Sequence, residues 1–293
     1  MSGLQGTTLG RYQITERLGR GGMSEVYLAY DEQMHRHVAV KVVVNGQTEY
    51  IERFRREAEA IGRLTHDHIL PAFDYGEQDM YHYLVMPYIE HGTLRDLIAQ
   101  GPLPIEHVAE LLEQIASALD FAHQQGIIHR DIKPSNILLR DDHYIYLADF
   151  GLAKVIEGGS DLTQFGSLLG TPEYMSPELS SGPATTSSDI YALGILVYQM
   201  VTGTVPFIGD TPLSVYWKQI QEVPTPPTEI NPNIPYAIEL VILTALEKDP
   251  ALRYQTPLDL STAFQRALAM PDDEALRTMG EPVYEALEED FVD

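Results

Sequence analysis

The chain changes character near residue 88, and this change constrains its fold more than any other feature. Before it, strand-like segments lie at residues 12–15, 25–30 and 37–44, and a further hairpin is predicted at residues 69–74 and 80–86. One amphipathic helix, from about residue 49 to residue 64, interrupts them. After residue 92 the pattern is mostly helical, with an amphipathic stripe over residues 105–122 and a nearly all-apolar segment at 188–201. Strands followed by helices indicate an α+β fold, and 293 residues is a length at which two lobes around one cleft are expected.

A short polar segment in the second part carries the side chains of a recognisable chemistry. It reads His129-Arg130-Asp131-Ile132-Lys133-Pro134-Ser135-Asn136, and Asp149-Phe150-Gly151 begins thirteen positions later. Asp131 can orient a hydroxyl nucleophile, while Asn136 and Asp149 can hold magnesium. Few other chemistries need these residue types at these spacings, so the segment points to phosphoryl transfer from a metal nucleotide.

Two inward-facing charges in the first part indicate an ion pair. Lys41 lies in an otherwise apolar strand, and Glu57 lies on the apolar face of the helix that follows. Burying either charge alone would be costly, so the two side chains are expected to pair with each other. A purely structural ion pair, with Glu59 as a rival carboxylate, is the alternative.

From about residue 10 to residue 268 the chain resembles a protein kinase, more closely a bacterial serine/threonine kinase of the eukaryotic-like type. The resemblance implies a two-lobed protein kinase fold. Residues 1–88 would form a small antiparallel-sheet N-lobe with one key helix, and residues 89–268 a larger, mainly helical C-lobe. Residues 269–293 would form an acidic C-terminal tail, either an appended helix or a disordered segment.

The implied activity is ATP- and Mg-dependent phosphorylation of serine and threonine residues on proteins, with autophosphorylation of the activation loop. Mn²⁺ is an alternative metal. Tyrosine kinases usually lack a lysine at the position of Lys133, which favours serine or threonine acceptors. The implied catalytic residues are Asp131, Lys133, Lys41 and Glu57, and the implied metal ligands are Asn136 and Asp149.

A glycine-rich turn over residues 18–26 would let backbone amides approach phosphates, because glycine has no Cβ. Alone it is a weak signal, equally compatible with a plain hairpin turn. Ser24 occupies the third glycine position of the family, and Pro87 stands where many relatives carry glutamate; proline keeps the carbonyl that adenine needs. The implied nucleotide-binding residues are Leu18, Gly19, Gly21, Gly22, Val26, Ala39, Lys41, Met86, Tyr88, Ile89 and Leu138.

Regulation and acceptor binding are expected between Asp149 and Glu178. Arg130 is the implied receiver of an activation-loop phosphate, carried by Thr163 first, with Ser167 and Ser160 behind it. An unmodified Thr163 is the alternative. Residues 170–178 resemble the substrate loop, in which Thr171 contacts the catalytic aspartate and lysine and Glu178 pairs with Arg253. Asp189 would anchor the backbone of the catalytic loop.

Composition limits the partners. The formal net charge of −24 disfavours binding to nucleic acid or to anionic membranes. It either keeps the protein soluble or attracts basic protein substrates. No segment reads as a membrane span or signal peptide, and the absence of cysteine fits a cytoplasmic location. The helix around Glu57 carries four arginines, at positions 53, 55, 56 and 63. Related bacterial kinases dimerise through the back of the small lobe, so the resemblance implies a homodimer through the N-lobe. The rival functions are a non-catalytic ATP-binding kinase-like scaffold and a small-molecule kinase of similar fold.

Overall fold

The first part of the computed structural model is an antiparallel sheet with one helix against it. The structure describes residues 3–21, 24–44, 48–150 and 171–270. The sheet has the order β1-β2-β3-β4-β6-β5. Its elements are β1 (Thr8–Leu9), β2 (Tyr12–Arg20), β3 (Ser24–Asp31), β4 (Arg36–Val44), helix α1 (Thr48–Ile61), β5 (Asp74–Gln78) and β6 (Tyr81–Pro87).

Alternation along β4 decides which side chains face each side of the sheet. Val38, Val40 and Val42 are buried in one apolar cluster, together with residues of β2, β3 and β6. Lys41 therefore points to the opposite face, which α1 contacts through β4 and β6. The predicted strands at residues 12–15, 25–30 and 37–44 and the helix at 49–64 are confirmed, with bounds that differ by a few residues.

The predicted strand at residues 69–74 is wrong, since the hairpin uses β5 (Asp74–Gln78) instead. Ile69 and Leu70 are buried against the other lobe. The N–H of Leu70 donates to the carbonyl oxygen of Leu147 (2.9 Å), and the N–H of Leu147 donates to the carbonyl oxygen of His68 (2.8 Å). The apolar side chains of Ile69 and Leu70 are removed from water in this position. The edge strand β5 is only partly buried and therefore accepts polar residues.

The second part is mainly helical around one central helix. Its elements are α2 (Leu94–Ile98), α3 (Ile105–Gln124), β7 (Ile137–Asp141), β8 (Tyr144–Leu147), α4 (Thr186–Thr202), α5 (Pro212–Gln221), α6 (Pro227–Ile230), α7 (Tyr236–Ala245) and α8 (Pro257–Leu268). Helix α4 is buried nearly all round, as its apolar sequence predicts. The predicted α+β fold with a sheet-based and a helical lobe is confirmed. Among the described residues no helix combines the length and apolarity needed to cross a bilayer.

Candidate active site

The β7–β8 hairpin carries the predicted site residues at its two ends. A 3-10 turn, Pro134–Asn136, leads directly into β7, and Asp149 follows β8. The N–H of Ala148 donates to the carbonyl oxygen of Asn136 (2.9 Å), which closes the hairpin at its base. Two side chains thirteen positions apart in the sequence are thereby brought to one end of a two-stranded sheet.

The Asp131 carboxylate is oriented by two donors from its own loop. Lys133 Nζ lies 2.8 Å from Asp131 Oδ2. The side-chain amide of Asn136 donates to Asp131 Oδ2 (3.0 Å) and to the backbone carbonyl of Asp131 (2.7 Å). A carboxylate held in this way can accept a hydrogen bond from a hydroxyl in a defined direction.

Thr171 joins this group from a distant part of the chain. Lys133 Nζ donates to Thr171 Oγ1 (3.4 Å), while the same ammonium remains paired with Asp131. Three residues of the predicted catalytic and substrate loops therefore meet at one ammonium group.

Asp189 holds the backbone that precedes Asp131. Its Oδ2 accepts from the N–H of His129 (2.7 Å) and from His123 Nε2 (2.8 Å), and its Oδ1 accepts from the N–H of Arg130 (2.8 Å). Arg130 adopts a φ of +65°, a left-handed conformation that is costly outside glycine. The bonds to Asp189, which is itself buried at the start of α4, offset that cost.

His129 is a buried packing residue whose imidazole is neutral. Burial lowers the pKa of His129. Its Nε2 donates to the carbonyl oxygen of Ala148 (3.0 Å), and its Nδ1 accepts from the N–H of Asp131 (3.3 Å). The ring lies 4.6 Å from that of Phe150, centroid to centroid. His129 thus connects the loop before β7 with the segment after β8.

Lys41 contacts Asp149 across the two lobes. Lys41 Nζ lies 3.1 Å from Asp149 Oδ1, and the positive charge of Lys41 lowers the pKa of Asp149. Asp149 also has a positive φ of +58°. The backbone of Glu57 lies in α1, but its side chain is outside the described residues, so the predicted pair with Lys41 stays a prediction.

The donor set fits a hard divalent cation. Asp149 is ionised, because its pKa is held low, and its side chain is 44% exposed. Asn136 offers an amide oxygen, since its amide nitrogen is already used on Asp131. Carboxylate and amide oxygens are ligands of magnesium-type ions.

The sheet residues predicted to bind a nucleotide are in register around β4. Ala39 pairs with Met86, and Lys41 pairs with Val26 and with Leu84 of β6. Met86 also lines a small hollow with Leu84, Ala148, Asp149 and Phe150. Leu138 of β7 forms a bridge with Thr93. Leu18 is 41% exposed, Tyr88 and Ile89 are partly buried, and Gly22 lies outside the described residues.

Gly19 fits the close approach of a phosphate. A Cβ added at Gly19 would meet no atom within 4 Å, and its φ is not positive. Neither packing nor backbone conformation therefore demands glycine there. At Gly21 an added Cβ would make only ordinary contacts, the nearest at 3.4 Å to the carbonyl oxygen of Ser24.

Glu178 and Arg253 form a bidentate pair. Arg253 Nη1 donates to Glu178 Oε1 (3.0 Å) and Nη2 to Oε2 (2.9 Å). The guanidinium is buried and also donates to the backbone carbonyls of Ser187, Glu247 and Lys248. This pair ties the segment after Thr171 to the loop before α8.

The predicted phosphorylation sites Thr163, Ser167 and Ser160 lie outside the described residues. Sequence reasoning missed His123, which supports Asp189, because a histidine near the end of an amphipathic helix carries no distinguishing pattern. It also missed Gln219 of α5, which reads as an ordinary polar helix residue.

Comparisons with known proteins agree on one family. A family model described as "Protein kinase domain" matches residues 12–265. Serine/threonine-protein kinase PknB of Mycobacterium leprae is 40% identical over 259 residues, which are 85% of this chain and 42% of that protein. Serine/threonine-protein kinase PrkC of Bacillus subtilis is 42% identical over 263 residues, 88% of this chain and 40% of that protein.

A solved structure is similar as well. The crystal structure of Rad53 1-466 in complex with AMP-PNP has a TM-score of 0.74 and 26% identity, over 86% of this chain and 64% of that chain. The chain thus spans about two fifths of the length of the two bacterial relatives.

Proposed function

Since this chain belongs to the protein kinase family, we propose that it transfers the γ-phosphoryl group of ATP to serine and threonine side chains of proteins. The observation that carries the proposal is the position of Lys133 Nζ, 2.8 Å from Asp131 Oδ2 and 3.4 Å from Thr171 Oγ1. Catalysis is supported over a non-catalytic scaffold, because the bacterial relatives are named serine/threonine-protein kinases at about 40% identity.

In the proposed mechanism the protein contributes orientation and charge. Asp131 accepts a hydrogen bond from the acceptor hydroxyl and aims its oxygen at the phosphorus. Lys133 holds Asp131 in place and offsets negative charge on the transferred group. Lys41, positioned by Glu57, binds the α- and β-phosphates, and the backbone of Gly19 and Gly21 covers the phosphates. No covalent protein intermediate is required.

The family uses ATP and a divalent metal. We propose Mg²⁺, with Mn²⁺ as the alternative, held by Asn136 and Asp149. When bound, the metal neutralises the charge of the phosphate oxygens. The adenine is proposed to lie between Leu18, Val26, Ala39 and Leu138, with Met86 behind it and the backbone of residues 87–89 as its polar partner.

Autophosphorylation of the activation loop is part of the proposal. Thr163 is the first acceptor and Ser167 the second, with Arg130 as the receiver of the phosphate. In support, Arg130 Nε is buried and finds no hydrogen-bond partner within residues 3–21, 24–44, 48–150 and 171–270. A phosphate would offer acceptors for roughly one to three charge-assisted hydrogen bonds.

A transfer assay with Mg-ATP tests the proposed reaction. Purified parent protein should label a basic serine- and threonine-containing peptide and itself. Asp131→Asn should lower kcat by about 10²–10⁴-fold, because it removes the carboxylate that orients the hydroxyl. Asp142→Asn, at an exposed aspartate in the β7–β8 turn, is the matched control and should behave as the parent.

Three results would contradict the proposal: equal labelling by Asp131→Asn and parent, no labelling of protein by either, or labelling of small molecules alone. Intact mass and peptide mapping of the parent after incubation would identify the acceptor, expected at Thr163. Thr163→Val should then lose that phosphate.

Association and location belong to the same proposal. We propose a homodimer through the N-lobe, in which the arginines at positions 53, 55, 56 and 63 meet an acidic surface. Arg53→Glu with Arg56→Glu should raise the dissociation constant, measured by analytical ultracentrifugation, and unchanged association would refute it. A cytoplasmic location is proposed because ATP is supplied there.

A further inference from the structure

Helix α5 supports the segment that follows Thr171. Gln219 Nε2 donates to the carbonyl oxygen of Glu173 (2.6 Å) and more weakly to that of Pro172 (3.4 Å). One turn earlier on the same helix, the hydroxyl of Tyr216 donates to the carbonyl oxygen of Pro177 (3.4 Å). Two neighbouring side chains of α5 therefore satisfy backbone carbonyls along residues 172–177.

The orientation of the Gln219 amide follows from its other partners. Gln219 is fully buried, and the hydroxyl of Tyr191 donates to its Oε1 (2.6 Å). Lys248 Nζ lies 3.4 Å from the same hydroxyl and 2.8 Å from the backbone oxygen of Gln219. An ammonium group only donates, so the tyrosine oxygen accepts from Lys248 and gives its own proton to Oε1. The nitrogen of the amide must then face the carbonyls of the loop.

The contacts of Gln219 reach the catalytic loop through one short turn. Pro172 to Tyr174 form a 3-10 turn in which the N–H of Tyr174 donates to the carbonyl oxygen of Thr171 (3.2 Å). The side chain of Thr171 accepts from Lys133, which is paired with Asp131. Gln219 thus holds the side of the turn that faces α5, while the start of the turn touches the catalytic loop.

We propose that Gln219 is a positioning residue for the protein acceptor: it holds the turn at residues 171–174 so that Thr171 stays against Lys133. The inference rests on the proposed transfer of phosphate to protein acceptors and identifies a residue on which acceptor binding depends. Gln219 acts through Thr171. Within the part of the chain that the structure describes, its hydrogen bonds join Pro172, Glu173, Tyr191 and Lys248, none of which belongs to the N-terminal sheet. ATP binding should therefore be independent of it.

The substitution Gln219→Met separates this role from packing. Methionine has nearly the length and volume of glutamine but neither its donor nor its acceptor. At saturating Mg-ATP the KM for a basic serine- and threonine-containing peptide should rise about tenfold, while the KM for ATP stays within about twofold. Gln221→Met, on the exposed side of the same helix, should leave both values unchanged. An unchanged peptide KM, or an equal rise in both KM values, would overturn the inference.

Hydrogen–deuterium exchange tests the same contact without turnover. The amides of Tyr174 and Met175, which bond within the turn, should exchange about tenfold faster in Gln219→Met than in the parent. Gln221→Met and the packing variant Ile242→Val in α7 should exchange as the parent does. If the parent labels no protein, the proposed function fails, and exchange still decides whether Gln219 holds the turn at residues 171–174. Equal exchange in Gln219→Met and parent would sink the inference.

Discussion

Ser176 shows at the scale of one residue how a single buried hydroxyl affects stability. Its side chain is 1% exposed, and its hydroxyl finds no hydrogen-bond partner in the part of the chain that the structure describes. A buried polar group without a partner costs about 1–3 kcal/mol.

We therefore expect Ser176→Ala to raise the free energy of unfolding by about 1 kcal/mol, because the desolvated hydroxyl is removed with little loss of volume. Urea denaturation of both proteins measures the difference. Ser181→Ala, whose hydroxyl is exposed and bonded to the carbonyl oxygen of Glu178, is the control and should not gain stability. A less stable Ser176→Ala would contradict this account.

Glu178 links stability to pH. Burial alone would raise the pKa of Glu178, but the hydrogen bonds and charge of Arg253 outweigh it and leave that pKa below the ordinary 4.5. A carboxyl group whose pKa is depressed by folding contributes stability above its unfolded pKa, and this stability is lost as pH falls through the folded pKa.

The unfolding free energy of the parent should therefore fall relative to Glu178→Gln as the pH is lowered below 4.5. Chemical denaturation over a pH series measures it. Glu222→Gln, at an exposed carboxylate that directly follows α5, should show no such divergence from the parent. A difference between parent and Glu178→Gln that is constant with pH would contradict the role of the Arg253 pair.

At the scale of elements, α4 and α7 approach closely where α4 has a glycine. A Cβ added at Gly194 would lie 2.8 Å from Ala245 Cβ and 3.4 Å from the backbone carbon of Ala245. Alanine is the better helix former by about 1 kcal/mol. The contact distance nevertheless predicts that the helices must move apart to accommodate it.

Gly194→Ala should consequently lower the free energy of unfolding by about 1–3 kcal/mol, the range of overpacked cores. Thermal or urea unfolding gives the value. Gly182→Ala is the matched control, because a Cβ there would meet nothing within 4 Å, and it should change stability by less than about 0.5 kcal/mol. Stabilisation by Gly194→Ala would mean that helix propensity outweighs packing.

Elements differ in how well the sequence predicts them. Helices α1, α3 and α4 match their predicted ranges closely, since their apolar patterns are local and each buries a continuous surface. The predicted strand at residues 69–74 is wrong, because an apolar run does not reveal whether it pairs with the neighbouring strand β6 or contacts β8 in the other lobe. The existence of α5 could be read from Thr211 and Pro212 at its start; its contact with residues 172–177 could not.

For the whole molecule, the net charge of −24 predicts how acceptors are selected. Protein acceptors rich in lysine and arginine should be attracted, and this attraction is screened by salt. The Debye length is about 30 Å at about 0.01 M and about 8 Å at about 0.15 M ionic strength.

The KM for a basic peptide should accordingly rise several-fold between these two ionic strengths. Steady-state assays at fixed Mg-ATP measure it. A peptide of the same length with glutamine in place of its basic residues is the control, and its KM should change little. If both peptides respond equally, the charge serves solubility and does not select acceptors.

The sequence by itself determined the class of fold and the family, and it predicted the chemistry of the site. The pattern of strands and helices is local, and Asp131, Lys133 and Asn136 lie within one short loop whose geometry the backbone imposes. Asp149 follows through a hairpin of neighbouring strands, which short-range pairing also specifies.

Only the tertiary structure decided which distant groups meet. Lys41 and Asp149 are 108 positions apart, and Gln219 and Glu173 are 46 apart. Lys133 and Thr171 are 38 apart, and their contact is expected from the resemblance to protein kinases alone. No local pattern encodes these contacts, because they result from the packing of whole elements: the sheet against the β7–β8 hairpin, and α5 against residues 172–177. A buried glutamine and a surface glutamine look alike in a sequence, and packing against Tyr191 and Glu173 is what distinguishes Gln219.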